Sequence, residues 1–146
     1  MDNLIDINNL TSLVSKHLQN NTLKTFPLEK FNLKNILDYI KFKKNEYYRN
    51  IIFKNKLFEI IIISWWQGSK TKFHNHPKNG CKLKVLFGEL QEKLFSNNNL
   101  KIKNIINTNK PPNLYANFLR NTILIRESIR ESMVNKFKPF DLDPST

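Results

Sequence analysis

Several things are scarce in this sequence. One cysteine, Cys81, excludes an internal disulfide framework and suits a reducing compartment. No apolar stretch approaches the roughly 20 residues that a bilayer span requires. The longest run, Ile60 to Ile63 with Trp65 and Trp66 close behind, falls far short. The opening residues, MDNLIDINNL, carry acid early and no basic segment, which argues against a signal peptide. Arginine is scarce, and only three glycines are present. What is there is 146 residues with a 40% hydrophobic share and eleven phenylalanines, enough for one domain with a real core. A soluble, cytoplasmic, monomeric domain without a membrane partner is the expectation.

The net charge of +12 comes from 24 basic and 12 acidic residues. It is unevenly spread: residues 1–40 balance, residues 41–95 carry +8 and residues 96–146 carry +4. A polyanion would fit that excess. Yet the charge is almost all lysine, scattered singly and in pairs such as Lys43-Lys44, whereas base and phosphate readers favour the arginine fork. Enrichment in Lys, Asn and Ile with little Gly is the signature of AT-rich coding, so a nucleic-acid partner is not expected.

Residues 1–24 read as a helix, with Leu4, Ile7, Leu10, Leu13, Val14 and Leu18 at three-and-four spacing and Asn20-Asn21 as the stop. A second helix is expected from about Leu28 to Phe42. The texture then becomes β-branched and aromatic. Tyr47 to Phe53 and Leu57 to Trp65, joined by Lys54-Asn55-Lys56, predict a hairpin that Gly68 terminates. After His74-Asn75-His76 and a loop at Pro77 to Gly80, alternation puts Cys81, Leu83 and Val85 on one strand face and two lysines on the other. Gly88 is expected to turn the chain into a further strand, Leu90 to Phe95. Beyond the polar break at Ser96 to Asn99, a short strand is expected over Leu100 to Ile106 and a loop at Pro111-Pro112-Asn113. The tandem Ile-Arg-Glu-Ser at 125–128 and 129–132 favours a helix over 122–137, although Ile123-Leu124-Ile125 alone suits a strand. The tail from Phe140 is expected to fray.

Of three histidines, His17 sits in the first helix and reads as structural. His74 and His76 are spaced i, i+2, so on a strand they point to the same face and two imidazoles can grip one metal ion. Imidazole suits iron, copper, nickel or zinc. Taken alone, Arg49 is equally a solvated charge, Cys81 a small buried hydrophobe, Tyr47 and Tyr48 ordinary strand residues, and Trp65 and Trp66 packing groups.

The stretch from Gly68 through His74-x-His76 and Cys81 to Gly88 resembles the first conserved motif of the cupin superfamily, which usually has Glu where Cys81 stands. Cysteine at that position is typical of the cysteine dioxygenases. Tyr47-Tyr48-Arg49-Asn50 is similar to that family's Tyr-x-Arg-Asn block, Ile63-Ser64-Trp65 to its strand ending in Trp, and Gly88-Glu89-Leu90-Gln91-Glu92 to its Gly-x-Leu-x-Glu strand. The resemblance covers roughly residues 5–95. It implies a mainly β chain, a cupin-type small β-barrel with N-terminal helices. That single domain over residues 1–146 would comprise a helical part to 45, a barrel core over 46–95 and a divergent part beyond.

The resemblance further implies an Fe(II)-dependent dioxygenase that oxidises cysteine to cysteine sulfinic acid with O₂. His74 and His76 would be iron ligands, Arg49 would bind the substrate carboxylate, Tyr47 would line the pocket, and Cys81 matches a cysteine that in the family can be crosslinked to a tyrosine. The family's third ligand is a histidine in a later Gly-x-His setting, and here none follows His76. The late crosslinking tyrosine is also missing; Tyr115 lies in no matching motif. A truncated or divergent C-terminal part is therefore expected, with an open barrel. A frameshifted product, a degenerate non-catalytic cupin and an enzyme with a substituted ligand are the alternatives.

Overall fold

The computed structural model describes residues 3–72, 80–96, 99–107 and 119–127. The chain begins with strand β1 (Asn3–Ile5), helix α1 (Ile7–His17), two 3₁₀ turns (Leu23–Thr25 and Leu28–Lys30), strand β2 (Phe31–Leu33) and a third 3₁₀ turn (Ile36–Asp38). Five strands follow: β3 (Tyr47–Lys54), β4 (Phe58–Trp66), β5 (Cys81–Ser96), β6 (Asn99–Asn107) and β7 (Leu119–Glu127). They form one antiparallel sheet in the order β3-β4-β7-β5-β6, while β1 and β2 pair in parallel. The mainly β expectation holds, and the described strands form an open sheet with β3 and β6 at its edges.

The helical expectations are corrected in three places. Helix α1 starts at Ile7 because Asp6 caps it, its carboxylate accepting from the Asn9 amide at 2.7 Å. Leu4 belongs to β1. The expected helix over Leu28 to Phe42 is replaced by two 3₁₀ turns flanking β2, since Asn35 takes a left-handed conformation (φ 56°) and the β1 pairing draws Phe31–Leu33 into extended backbone. The largest correction is β7. Its residues up to Glu127 form a strand between β4 and β5, not a helix; positions 128–137 lie outside the described residues, as do the Pro111 loop, Tyr115 and the tail.

The hairpin of β3 and β4 forms as expected. Asn55 Oδ1 accepts from the amides of Leu57 and Phe58 at 2.8 and 2.9 Å, which fixes the turn. Gly88 does not end a strand. It sits beside a bulge within the 16-residue β5, at φ +86°, with Arg120 packed against the space a Cβ would need. The break after Phe95 is a hairpin in which Ser96 pairs with Asn99.

The sheet has two apolar faces. On one, Phe58, Ile60, Ile62, Leu86, Ile123 and Ile125 meet Leu10, Val14, Leu23, Phe26, Leu28 and Leu33 from the N-terminal layer. Lys84 fastens that layer, donating to the carbonyls of Phe31 and Glu29 and to Asn32 Oδ1 at 2.8, 3.2 and 3.1 Å. His17 is structural: Nε2 lies 2.9 Å from the Thr22 carbonyl and its ring meets Phe26 edge-on. On the opposite face, Ile61, Ile63, Trp65, Val85, Leu90 and Leu124 cluster, with Tyr47, Cys81, Leu83 and Ile105 against them. The Ile60–Ile63 run is continuous because β4 is buried on both faces.

Candidate active site

Alternation along β3 explains the Tyr-x-Arg-Asn block. Tyr47 and Arg49 point to the second face, whereas Asn50 turns the other way and donates from Nδ2 to the Tyr39 carbonyl, fastening the strand to the N-terminal layer. Tyr47 lies opposite Trp65 in register, with ring centroids 5.5 Å apart. Trp65 is buried, and its Nε1 donates to Thr122 Oγ1 at 3.2 Å, so the wall behind Tyr47 is rigidly placed. Trp66 turns away and stacks on Phe42. An open groove of about 640 Å³ runs beside Tyr47 and Arg49, with Glu46, Tyr48, Gly68, Ser69 and Lys70 among its walls.

On β5, Cys81, Leu83 and Val85 share the face expected of them. Cys81 is half-buried and pairs in register with Arg126 of β7. Burial pushes its thiol up from 9.0 to about 11; the Arg126 charge pulls back and Glu92 pushes further the same way. At neutral pH it is therefore a protonated, unreactive thiol.

Two residues with no assigned role in the sequence reading join this face. Glu59 is only 3% exposed, and Arg126 grips its Oε2 through Nε and Nη2, each at 3.2 Å. Lys54 Nζ reaches the other oxygen at 3.6 Å. The signal was a lone carboxylate inside an apolar strand, Phe58-Glu59-Ile60, which demands a partner once buried. Arg49 feels the same pair. Desolvation and then the like charge of Arg126 lower its pKa, while Tyr47 and Glu59 act in the opposite sense. The side chain keeps access to solvent, which screens these effects, and a guanidinium stays charged throughout.

The structure thus brings Tyr47, Arg49 and Cys81 to one face. His74 and His76 lie outside the described residues, in the segment between Lys72 and Gly80. Among the described residues no group of three His, Cys, Asp or Glu side chains is arranged to hold a metal, and no helix is long and apolar enough to cross a membrane.

The model of the family described as Cysteine dioxygenase type I matches residues 6–117. The chain belongs to the cysteine dioxygenase type I family. The match runs past residue 95, where the recognisable blocks stop, and so takes in β6. Among individual members, cysteine dioxygenase type 1 of Homo sapiens is 37% identical over 59 residues, which is 40% of this chain and 30% of that protein. The Rattus norvegicus protein is 38% identical over 58 residues, 39% and 29% of the two chains, and the Danio rerio protein 35% over 60, 40% and 30%. The matched stretch spans about 30% of the length of these curated relatives.

Proposed function

We propose that this chain is an Fe(II)-dependent thiol dioxygenase that oxidises cysteine to cysteine sulfinic acid with O₂. The observation that carries the reading is the placement of Tyr47 and Arg49 at one groove, with Cys81 on the same sheet face, in a chain of the cysteine dioxygenase type I family. His74 and His76 would hold the metal, and two neutral imidazoles suit Fe(II) while leaving the ion its charge. Bound there, Fe(II) would supply adjacent positions at which the substrate thiol and O₂ meet. The net reaction balances without a further reductant: two S–O bonds form, the O–O bond breaks, and sulfur passes four electrons to O₂.

The protein's own groups bind and orient. Arg49 presents a planar fork to the substrate carboxylate, an arrangement that fixes direction as well as charge. Tyr47, braced on Trp65, walls the same groove. Cys81, held as a thiol, does not compete with the substrate sulfur as an anion.

The full chain, purified with Fe(II), is expected to retain iron and to convert cysteine to cysteine sulfinic acid with matching O₂ uptake. His74→Ala is expected to abolish both. No iron above background together with no product would overturn the proposal. That outcome would favour the second reading, a cupin-derived module without turnover.

A further inference from the structure

We propose that Lys70 is a second anion contact in the groove beside Arg49, so that the groove favours thiols carrying two carboxylates over zwitterionic cysteine. The inference rests on the dioxygenase reading given above and sharpens its substrate class. Four charged residues line the groove: Lys43, Glu46, Arg49 and Lys70. Two of them cancel. Lys43 Nζ lies 3.0 Å from Glu46 Oε2, in a turn that the Glu46 amide closes by donating to the Lys43 carbonyl at 3.1 Å. Arg49 and Lys70 have no carboxylate within ion-pair distance among the described residues. Two positive charges therefore remain at one groove, with room for a small organic dianion.

The backbone brings Lys70 to that wall. Strand β4 ends in a turn where the Ser69 amide donates to the Trp66 carbonyl at 2.8 Å and Gly68 supplies a left-handed φ of +82°. The turn is tied twice to the segment before β3: the Trp66 amide donates to the Glu46 carbonyl at 3.3 Å, and the Trp66 ring stacks on Phe42. Arg49 supplies the directional fork. The exposed Lys70 ammonium adds a modest attraction that salt screens. A second carboxylate gains that attraction, whereas the ammonium of cysteine is repelled.

The test titrates the full chain with two probes that carry no thiol, succinate and propionate, at low salt. Succinate is expected to bind about fivefold more tightly, a preference that shrinks in high salt. Lys70→Met should lower succinate affinity about threefold and leave propionate almost unchanged. Lys44→Met removes the same charge outside the groove and should change neither. Equal affinities in the wild type, no succinate binding, no loss in Lys70→Met, or an equal loss in Lys44→Met overturns the proposal. With Fe(II), kcat/KM for mercaptosuccinate should exceed that for cysteine, and Lys70→Met should lower only the former; the reverse order also overturns it. If neither thiol is turned over, the dioxygenase reading falls separately, and the titration still decides whether Lys70 is an anion contact.

Discussion

Glu59 and Ile60 are neighbours in β4, yet they point to opposite faces of the sheet, and the two faces are built differently. The face under the N-terminal layer is made almost wholly of aliphatic and aromatic contacts, closed by twelve buried hydrophobic residues from both ends of the described chain. The other face mixes a smaller apolar cluster with Tyr47, Arg49, Glu59, Arg126 and Cys81. Apolar packing is non-directional and tolerates no loss of volume. An exposed polar group such as Arg49 is directional, and its loss changes what can bind there more than whether the chain folds. The buried Glu59–Arg126 pair, by contrast, also holds the strands together. The difference teaches that stability and recognition are divided between the two sides of a sheet one residue thick.

The sharpest way to break that division is to remove volume from the covered face. Ile60→Ala, at a fully buried position, is expected to cost about 2–5 kcal/mol, read as a fall in the urea midpoint. If the protein folds at low temperature, cysteine turnover per folded molecule should be unchanged. A smaller loss, about 1–3 kcal/mol, is expected for Lys84→Met, which leaves three oxygens of the N-terminal layer without their donor. Faster proteolysis confined to residues 3–40 would be its signature. Arg49→Lys should invert the pattern. Stability should stay within about 0.5 kcal/mol of wild type, as for other exposed positions. KM for cysteine should nevertheless rise, because a point charge cannot reproduce the fork. A midpoint shift as large as that of Ile60→Ala would erase the distinction between the faces.

Much of this was legible in the sequence where one face of a strand differs from the other. Cys81-Lys82-Leu83-Lys84-Val85 alternates, and the structure sorts those residues as the pattern requires. The hairpin of β3 and β4 was readable from two β-branched runs and a polar turn. Strand β7 was not, for a physical reason. Asn121 to Ile125 is buried on both faces, so no alternation marks it, while the tandem Ile-Arg-Glu-Ser imposes a spacing of four that imitates a helix. With β7 misread, the partner of Glu59 could not be found. The pair exists only because β7 inserts between β4 and β5, 67 residues along the chain. The N-terminal segment failed differently: its apolar spacing is compatible with a helix, but Asn35 and the β1 pairing are tertiary choices that local propensity does not set.

The smallest expected effect concerns Cys81, and it tests whether burial or positive charge governs the second face. Arg126 is close enough to stabilise a thiolate, yet its guanidinium is engaged by Glu59, and burial dominates. With the folded value near 11 against an ordinary 9.0, the thiolate fraction at pH 8 is about a hundredfold smaller in the folded chain. Iodoacetamide should therefore modify native Cys81 far more slowly than the urea-unfolded chain. The linkage has a definite sign. Between pH 9 and pH 11 the unfolded chain releases a proton that the folded chain retains, so stability falls as pH rises through that window and is insensitive to this group below it. The readout is the difference between wild type and Cys81→Ser. Their urea midpoints should converge or cross as pH rises from 9 to 11. Parallel midpoints would mean that the thiol is not held neutral, and that the charge of Arg126 reaches it despite Glu59.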